Sequence, residues 1–306
     1  MPHTARPSAP SARRLAGRLA VALLIAGAAL IASACGGSGS AAPAPPSADR
    51  FDARRAFTDL RMQVELGPRP AGSDASRALA ERLVRRIPAG RFEDVPGGLR
   101  NVVGVVPGRG KPILIGAHYD TKDIPGFVGA NDGAGGVAMV LELTRVLARD
   151  RRACQREMRV VFFDGEESPR GSSDFAADGL RGSRAYVAAH PRGLRAMVLA
   201  DFVADRDLSI PREATSTPAL WDRLRRAAAT AGALHVFPDR LGPGILDDHT
   251  PFLEQGTPAI DLIDFDYPHF HTTRDTLDKV SARSLDLVGE TLLVMLRRLR
   301  AETCRG

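Results

Sequence analysis

The fold is decided by the stretch Pro112-Ile-Leu-Ile-Gly-Ala-His118-Tyr-Asp120-Thr121, an apolar run that ends in an imidazole and a carboxylate. Residues 112–117 predict a strand buried on both faces, as in a parallel sheet. His118 and Asp120 are two residues apart, so an extended chain places both on one face. Asp120 could then hold the ring nitrogen of His118 that does not bind metal. Alone, a His-x-Asp pair more often makes a structural hydrogen bond.

Apolar runs of strand length alternate with helical patterns along the rest of the chain. We predict further strands at 101–106, 158–163, 196–200 and 258–263, and helices at 52–64, 73–87, 133–147, 183–189, 218–229 and 284–299. This alternation predicts the α/β class, with three αβα layers and a mostly parallel central sheet covered by helices on both faces. Ligands bind such sheets at the carboxyl ends of the strands.

Acidic side chains follow two more of these predicted strands. Glu166 and Glu167 come just after the run that ends at Phe163, and Asp201 follows Met197-Val-Leu-Ala. Two carboxylates at one strand end repel each other unless a cation separates their roles. One can ligate a metal while the other accepts a proton from the attacking water, which is the division that hydrolysis needs. A solvated strand-end acid is the simpler interpretation of Asp201 alone.

Asp132 lies in Asn131-Asp132-Gly133, where a helix begins, and an N-cap is its simplest role. Residues 133–138 also fit the dinucleotide-binding pattern G-x-G-x-x-A. We reject that interpretation because a polar loop rich in proline and glycine, not a strand, precedes them. No G-x-S-x-G motif of a serine hydrolase is present.

Two histidines, His269 and His271, lie in a polar loop after the last predicted strand, and composition alone allows either to be a ligand. Imidazole nitrogens and carboxylate oxygens are the ligands of hydrolytic zinc sites. The sequence therefore predicts a zinc site where these loops converge.

The N-terminal 35 residues predict an export signal. Four arginines precede an apolar stretch that ends in Ile31-Ala-Ser-Ala-Cys35-Gly-Gly, which resembles a bacterial lipobox. The resemblance implies cleavage before Cys35 and lipidation of its thiol, and a plain secretory signal is the alternative. We therefore expect a signal at 1–35, a flexible tether at 36–49 and one catalytic domain at 50–306. The protein is then exported and anchored to the outer face of a membrane.

Charge and cysteines constrain the partners. The formal net charge is +6, and removing the four leader arginines leaves +2, which argues against a nucleic-acid partner. Cys154 and Cys304 could form a disulfide in an exported protein or remain two unrelated thiols. No dimerisation signal is evident, so a monomer is expected.

Taken together, these segments resemble the zinc-dependent exopeptidase family M28, which includes bacterial aminopeptidases and glutaminyl-peptide cyclotransferases. The resemblance extends over nearly all of the chain from Phe51 and implies a phosphorylase/hydrolase-like αβα fold with one or two zinc ions. It implies that Asp132 bridges two metals and that the other ligands are His118, Asp201, Glu167 and His271. It further implies Glu166 as general base and Asp120 as the partner of His118. It also implies a cis peptide after Asp132, and we expect substrate contacts from Asp248, His249 and Phe270.

The resemblance leaves two enzymatic functions open. We expect an aminopeptidase that removes N-terminal residues from peptides, with a glutaminyl-peptide cyclotransferase as the alternative. The insertion at 168–181 and the doublet Asp247-Asp248 are similar to the cyclotransferase branch, but Phe270 stands where that branch usually has tryptophan. The leader, the tether and the α/β pattern also allow a third, remote alternative, a lipid-anchored solute-binding protein. The pair Glu166 and Glu167 argues against it, because a binding protein does not need two adjacent carboxylates of this kind.

Overall fold

The computed structural model describes residues 50–150, 154–191 and 193–302. Its central sheet has six strands in the order β1-β2-β4-β3-β5-β6. They are β1 (Arg91–Val95), β2 (Leu99–Val106), β3 (Arg109–His118), β4 (Arg156–Phe163), β5 (Ala196–Ala200) and β6 (Ala259–Leu262). β3 pairs in parallel with β4 and β5, and β5 with β6, whereas β2 is antiparallel to β1 and β4. The predicted, mostly parallel sheet is therefore confirmed.

Helices connect the strands. They are α1 (Ala53–Glu65), α2 (Asp74–Val84), α3 (Ala134–Leu147), α4 (Phe175–Asp178), α5 (Arg181–Ala189), α6 (Pro218–Ala231), α7 (Thr250–Glu254) and α8 (Ala282–Ala301), with a 3₁₀ turn at Leu234–Val236. The six predicted helices are present with shifted ends. The sequence did not predict β1, whose residues are mostly polar, or α4 and α7, which are too short to show a helical period.

Alternate residues of strands β2 to β6 enter cores on opposite faces of the sheet. On β3, Ile113 and Ile115 join the larger core, and Leu114 joins the smaller one. Buried residues from α1, α2, α3, α6 and α8 complete the larger core. Tyr186 of α5 and Phe252 of α7 complete the smaller one. These two cores confirm the three αβα layers.

Close packing of α3 on β5 explains the glycines that mimic a dinucleotide-binding pattern. A Cβ atom at Gly136 would lie 2.0 Å from the backbone oxygen of Ala200. The absence of a side chain at Gly136 therefore lets α3 pack directly on the sheet. Asp132, which lies just before this helix, is close to the end of β5 as a result.

The parallel register brings the strand ends to one edge. His118, the last residue of β3, pairs with Phe163 at the end of β4, and Gly116 pairs with Leu199 of β5. The segments that follow β4 and β5 begin at the same level as His118, so Glu166, Glu167 and Asp201 lie next to it.

Several predictions lie outside the described residues. Residues 1–49 are not described, so the signal, lipidation of Cys35, the tether and the domain boundary remain predictions. Cys154 is disulfide-bonded, whereas Cys304 lies outside the described residues, so their pairing also remains a prediction. Within the described ranges, no helix is both long and apolar enough to span a membrane.

Replacing Gly136 with alanine tests the packing of α3 on β5. We expect the free energy of unfolding to fall by about 3 kcal/mol, the upper end of overpacking costs, although alanine favours a helix. Urea denaturation measures the change. Gly244→Ala is the control, because the nearest neighbour of a Cβ atom there lies at 3.7 Å. Equal stability of the two variants would contradict the packing argument.

Candidate metal centre

Three residues from different segments form a first candidate metal site. The Nε2 atom of His118 lies 3.1 Å from Asp201 Oδ1 and 3.3 Å from Asp132 Oδ1. All three side chains are buried. One nitrogen and two carboxylate oxygens at such distances can share one cation.

A second candidate site uses the other oxygen of Asp132. The Nε2 atom of His271 lies 3.0 Å from Glu167 Oε1 and 3.5 Å from Asp132 Oδ2. Asp132 thus presents Oδ1 to His118 and Oδ2 to His271, which is the arrangement of a carboxylate that bridges two ions. His271 has a φ of 48°, an uncommon left-handed conformation for a residue other than glycine.

The backbone around Asp132 is held by hydrogen bonds. The backbone N–H groups of Asn131 and Asp132 both donate to the carboxylate of Asp275. Gly133 follows with a φ of 88°, and a Cβ atom there would lie 2.9 Å from the backbone oxygen of Asp120. Every described peptide bond is trans, so the cis bond implied after Asp132 is absent from the described residues.

A buried arginine binds backbone carbonyl groups near the same loop. Arg69 Nη1 donates to the carbonyl oxygens of Gln63, Gly67 and Val128, and its side chain is inaccessible to solvent. Burial lowers the pKa of Arg69 to about 10, although the neighbouring charge of Asp132 raises it. The guanidinium therefore stays protonated at neutral pH. Arg69 therefore supplies a permanent positive charge close to Asp132, Asp120 and Asp275.

Asp120 organises the turn after β4 as well as facing His118. Its two oxygens accept the backbone N–H groups of Glu166 and Glu167, each at 3.2 Å. Asp120 Oδ1 lies 3.7 Å from His118 Nδ1, too far for a hydrogen bond. The hydrogen bonds of Asp120 therefore fix the backbone of the two glutamates.

Lys122 is a cation that the sequence analysis did not assign. Its Nζ atom donates to Glu167 Oε2 and to Ser168 Oγ, both at 2.9 Å. Burial raises the pKa of Glu167, but the hydrogen bond from His271 and the charges of His271 and Lys122 lower it more. Glu167 is therefore ionised and suited to ligation.

Glu166 faces a cavity of about 600 Å³ beside the two candidate sites. Burial and the neighbouring charge of Glu167 raise the pKa of Glu166 well above its usual range. Asp201 and Asp247 also line the cavity, and Phe202, Ile263 and other apolar side chains form much of its wall. A buried carboxyl group with a raised pKa therefore lies in the wall of a cavity that a small molecule can enter.

The predicted substrate contacts lie at different depths. Phe270 lines the cavity, is 37% exposed and stacks on His271 with ring centroids 3.8 Å apart. Asp248 and His249 are fully buried and do not line this cavity. Substrate contact by these two residues stays a prediction, whereas their neighbour Asp247 lines the cavity. The sequence did not predict Asp247 as a cavity residue, because it neither follows a predicted strand nor belongs to a known ligand pattern.

The residues present fit a metal ion. Burial lowers the pKa of His118, but Asp120, Asp132 and Asp201 outweigh it and raise this pKa well above its ordinary value. Burial, followed by the charge of Asp247, raises the pKa of Asp201 to about 8. Among the described residues, Asp132 Oδ2 receives no hydrogen bond. The buried acids thus favour a positive charge between them, which a divalent cation would supply.

Replacing His271 with alanine tests the second site. Removal of one imidazole ligand is expected to weaken zinc binding there at least about tenfold, since even residues that only orient ligands have effects of this size. Competition with a chromophoric chelator measures the affinity. His269→Ala is the matched control from the same loop, because His269 belongs to neither site around Asp132. The assignment is wrong if His269→Ala weakens zinc binding and His271→Ala does not.

Known proteins are similar to this chain in sequence and in fold. A glutaminyl-peptide cyclotransferase of Bos taurus is 27% identical over 289 residues, covering 78% of this chain and 80% of that protein. The crystal structure of an Acidobacteriales bacterium glutaminyl cyclase has 33% identity and a TM-score of 0.72, covering 87% of this chain and 99% of that chain. A leucine aminopeptidase precursor from Bacteroides thetaiotaomicron has 26% identity and a TM-score of 0.73, covering 82% of this chain and 98% of that chain. The sequence profile of Peptidase family M28 matches residues 101–296, and the chain therefore belongs to that family.

Proposed function

We propose that this M28 enzyme is a glutaminyl-peptide cyclotransferase, which converts the N-terminal glutamine of a peptide into pyroglutamate and releases ammonia. The observation that carries the proposal is the similarity to a solved glutaminyl cyclase at 33% identity over 87% of this chain. The curated cyclotransferase of Bos taurus supports the same activity. The comparisons thus favour the alternative function of the sequence analysis over the aminopeptidase expected there.

We expect zinc as the cofactor. Asp132, Glu167 and His271 would hold one ion, and His118 and Asp201 would complete a second site with Asp132. A bound zinc ion supplies Lewis-acid polarisation of the γ-carboxamide carbonyl of the substrate. Asp120 and Asp275 act indirectly, since they accept the backbone N–H groups that position Glu167 and Asp132.

Glu166 moves the proton that cyclisation requires. The α-amine nitrogen of the substrate forms a bond to the γ-carboxamide carbon, and the carbon–nitrogen bond of the amide breaks. The attacking amine must lose a proton and the departing nitrogen must gain one, so a single carboxylate can serve both steps. Its buried position beside Glu167 makes Glu166 a stronger base than an exposed glutamate.

The cavity suits a peptide N-terminus. Glu166, Asp201 and Asp247 make its polar end acidic, which suits a basic α-amino group better than an anionic substrate. Phe202, Ile263 and Phe270 supply apolar surface for the rest of the peptide. An apolar wall also limits the water that would compete with the substrate amine.

An aminopeptidase is the second candidate function. The two sites that share Asp132 favour it, because paired metal ions are typical of many hydrolases. The similarity to a leucine aminopeptidase precursor supports the same function. In that case Glu166 would take a proton from water instead of from the substrate amine.

Two substrates separate these activities. The purified zinc-loaded chain is offered a peptide that begins with glutamine and, separately, an aminoacyl anilide. We expect ammonia and a product lighter by one ammonia from the peptide, and no aniline from the anilide. Aniline release without ammonia would overturn the cyclotransferase in favour of the peptidase. A lack of activity on both, unchanged by chelator, would favour a binding protein.

Glu166→Gln serves as the mechanistic variant in the same assay. Loss of the proton carrier is expected to lower kcat at least about 100-fold. Zinc content should remain unchanged, because Glu166 belongs to neither site around Asp132. Glu254→Gln, an exposed glutamate in α7, is the control and should keep full activity. Undiminished turnover of Glu166→Gln would mean that another group carries the proton.

A further inference from the structure

An aspartate lies inside a strand where an apolar residue is expected. On β6, Ile260 and Leu262 enter the larger core, whereas Asp261 is on the other face with Ala259. Asp261 is fully buried, and neither oxygen of its carboxylate accepts a hydrogen bond from a described residue. A buried carboxylate without donors is costly, so this position requires a compensating partner.

Two more side-chain atoms near Asp261 lack hydrogen bonds with described residues. Asp247 Oδ1 accepts the backbone N–H of Asp248, but Oδ2 has no donor among the described residues. His249 Nδ1 also forms no hydrogen bond with a described residue, and its side chain is fully buried. Ligand atoms of Asp247, His249 and Asp261 all lie within 4.8 Å of one another.

The other nitrogen of His249 is already engaged. Its Nε2 atom lies 2.9 Å from Thr215 Oγ1 and 3.3 Å from Glu213 Oε2. Glu213 is itself fixed, because it accepts the backbone N–H groups of Thr215, Ser216 and Ile245 at 2.7 to 3.0 Å. A histidine that ligates a metal usually gives its second nitrogen to such a carboxylate, which leaves the first nitrogen free for the ion.

The spacing favours an ion over a direct contact. His249 Nδ1 and Asp261 Oδ2 are 3.8 Å apart, which is too long for a hydrogen bond. Zinc binds nitrogen and oxygen ligands at about 2 Å, so two ligands of one ion can be up to about 4 Å apart. The separation therefore fits two ligands of one cation.

We propose that Asp247, His249 and Asp261 form a further metal site, for a divalent transition metal of the zinc class. It is separate from the two sites that share Asp132, and it does not depend on the proposed reaction. The ion would tie the loop before α7 to β6. Because Ile245 and Asp247 of this loop line the substrate cavity, the ion would hold one wall of that cavity in place.

Zinc counting in the full chain tests the proposal. The double variant His118→Ala/His271→Ala disables both sites around Asp132 and is expected to retain one zinc per chain after dialysis. Addition of Asp261→Asn should remove that zinc, whereas addition of Asp266→Asn, an exposed neighbour, should not. A double variant that holds no zinc, or one that keeps its zinc with Asp261→Asn, would overturn the site.

A measurement on the unaltered chain covers the case in which these variants fail to fold. Diffraction data from zinc-loaded crystals at the zinc absorption edge should show an anomalous peak among Asp247, His249 and Asp261. Zinc at Asp132 with no peak in this cluster would mean that the buried acids share protons instead.

Discussion

The site depends on the balance of charge around Asp132. This buried carboxylate faces His118 with one oxygen and His271 with the other, while Glu167 and Asp201 add two more acids close by. Removal of so many carboxylates from water is unfavourable unless positive charge accompanies them. The two imidazoles, Lys122 and the guanidinium of Arg69 supply part of that charge. A divalent cation would supply the rest, and the same arrangement makes it available to a substrate.

The αβα architecture creates this concentration of charge. Parallel pairing of β3 with β4 and β5 brings His118, Glu166 and Asp201 to one sheet edge, although they are far apart in sequence. Gly136 lets α3 approach β5 and so delivers Asp132 to the same point. Asp120 and Asp275 then orient the ligands through backbone N–H groups, so the rigid sheet and its loops position the acids before any ion binds.

Much of this arrangement is predictable from the sequence, because apolar runs locate the strands and each run ends in a ligand type. β5 matches its predicted range, and the five ligands suggested by the resemblance meet around Asp132. Composition alone cannot choose between His269 and His271, since only the path of the loop decides which ring faces Glu167. The sequence pattern does not predict a site at Asp247 or Asp261 either. One lies in an irregular loop and the other in a four-residue strand, where neither shows a period. The reaction is harder still to predict, because cyclisation and hydrolysis need the same ligands and the same proton carrier.

Calorimetric titration of zinc into metal-free Asp132→Asn tests the account most directly. Asparagine keeps the shape of the side chain but removes the charge that faces both imidazoles. The account predicts that zinc binding at both sites around Asp132 weakens at least about tenfold relative to the unaltered chain. A titration curve identical to that of the unaltered chain would contradict it, because Asp132 could not then be the shared ligand.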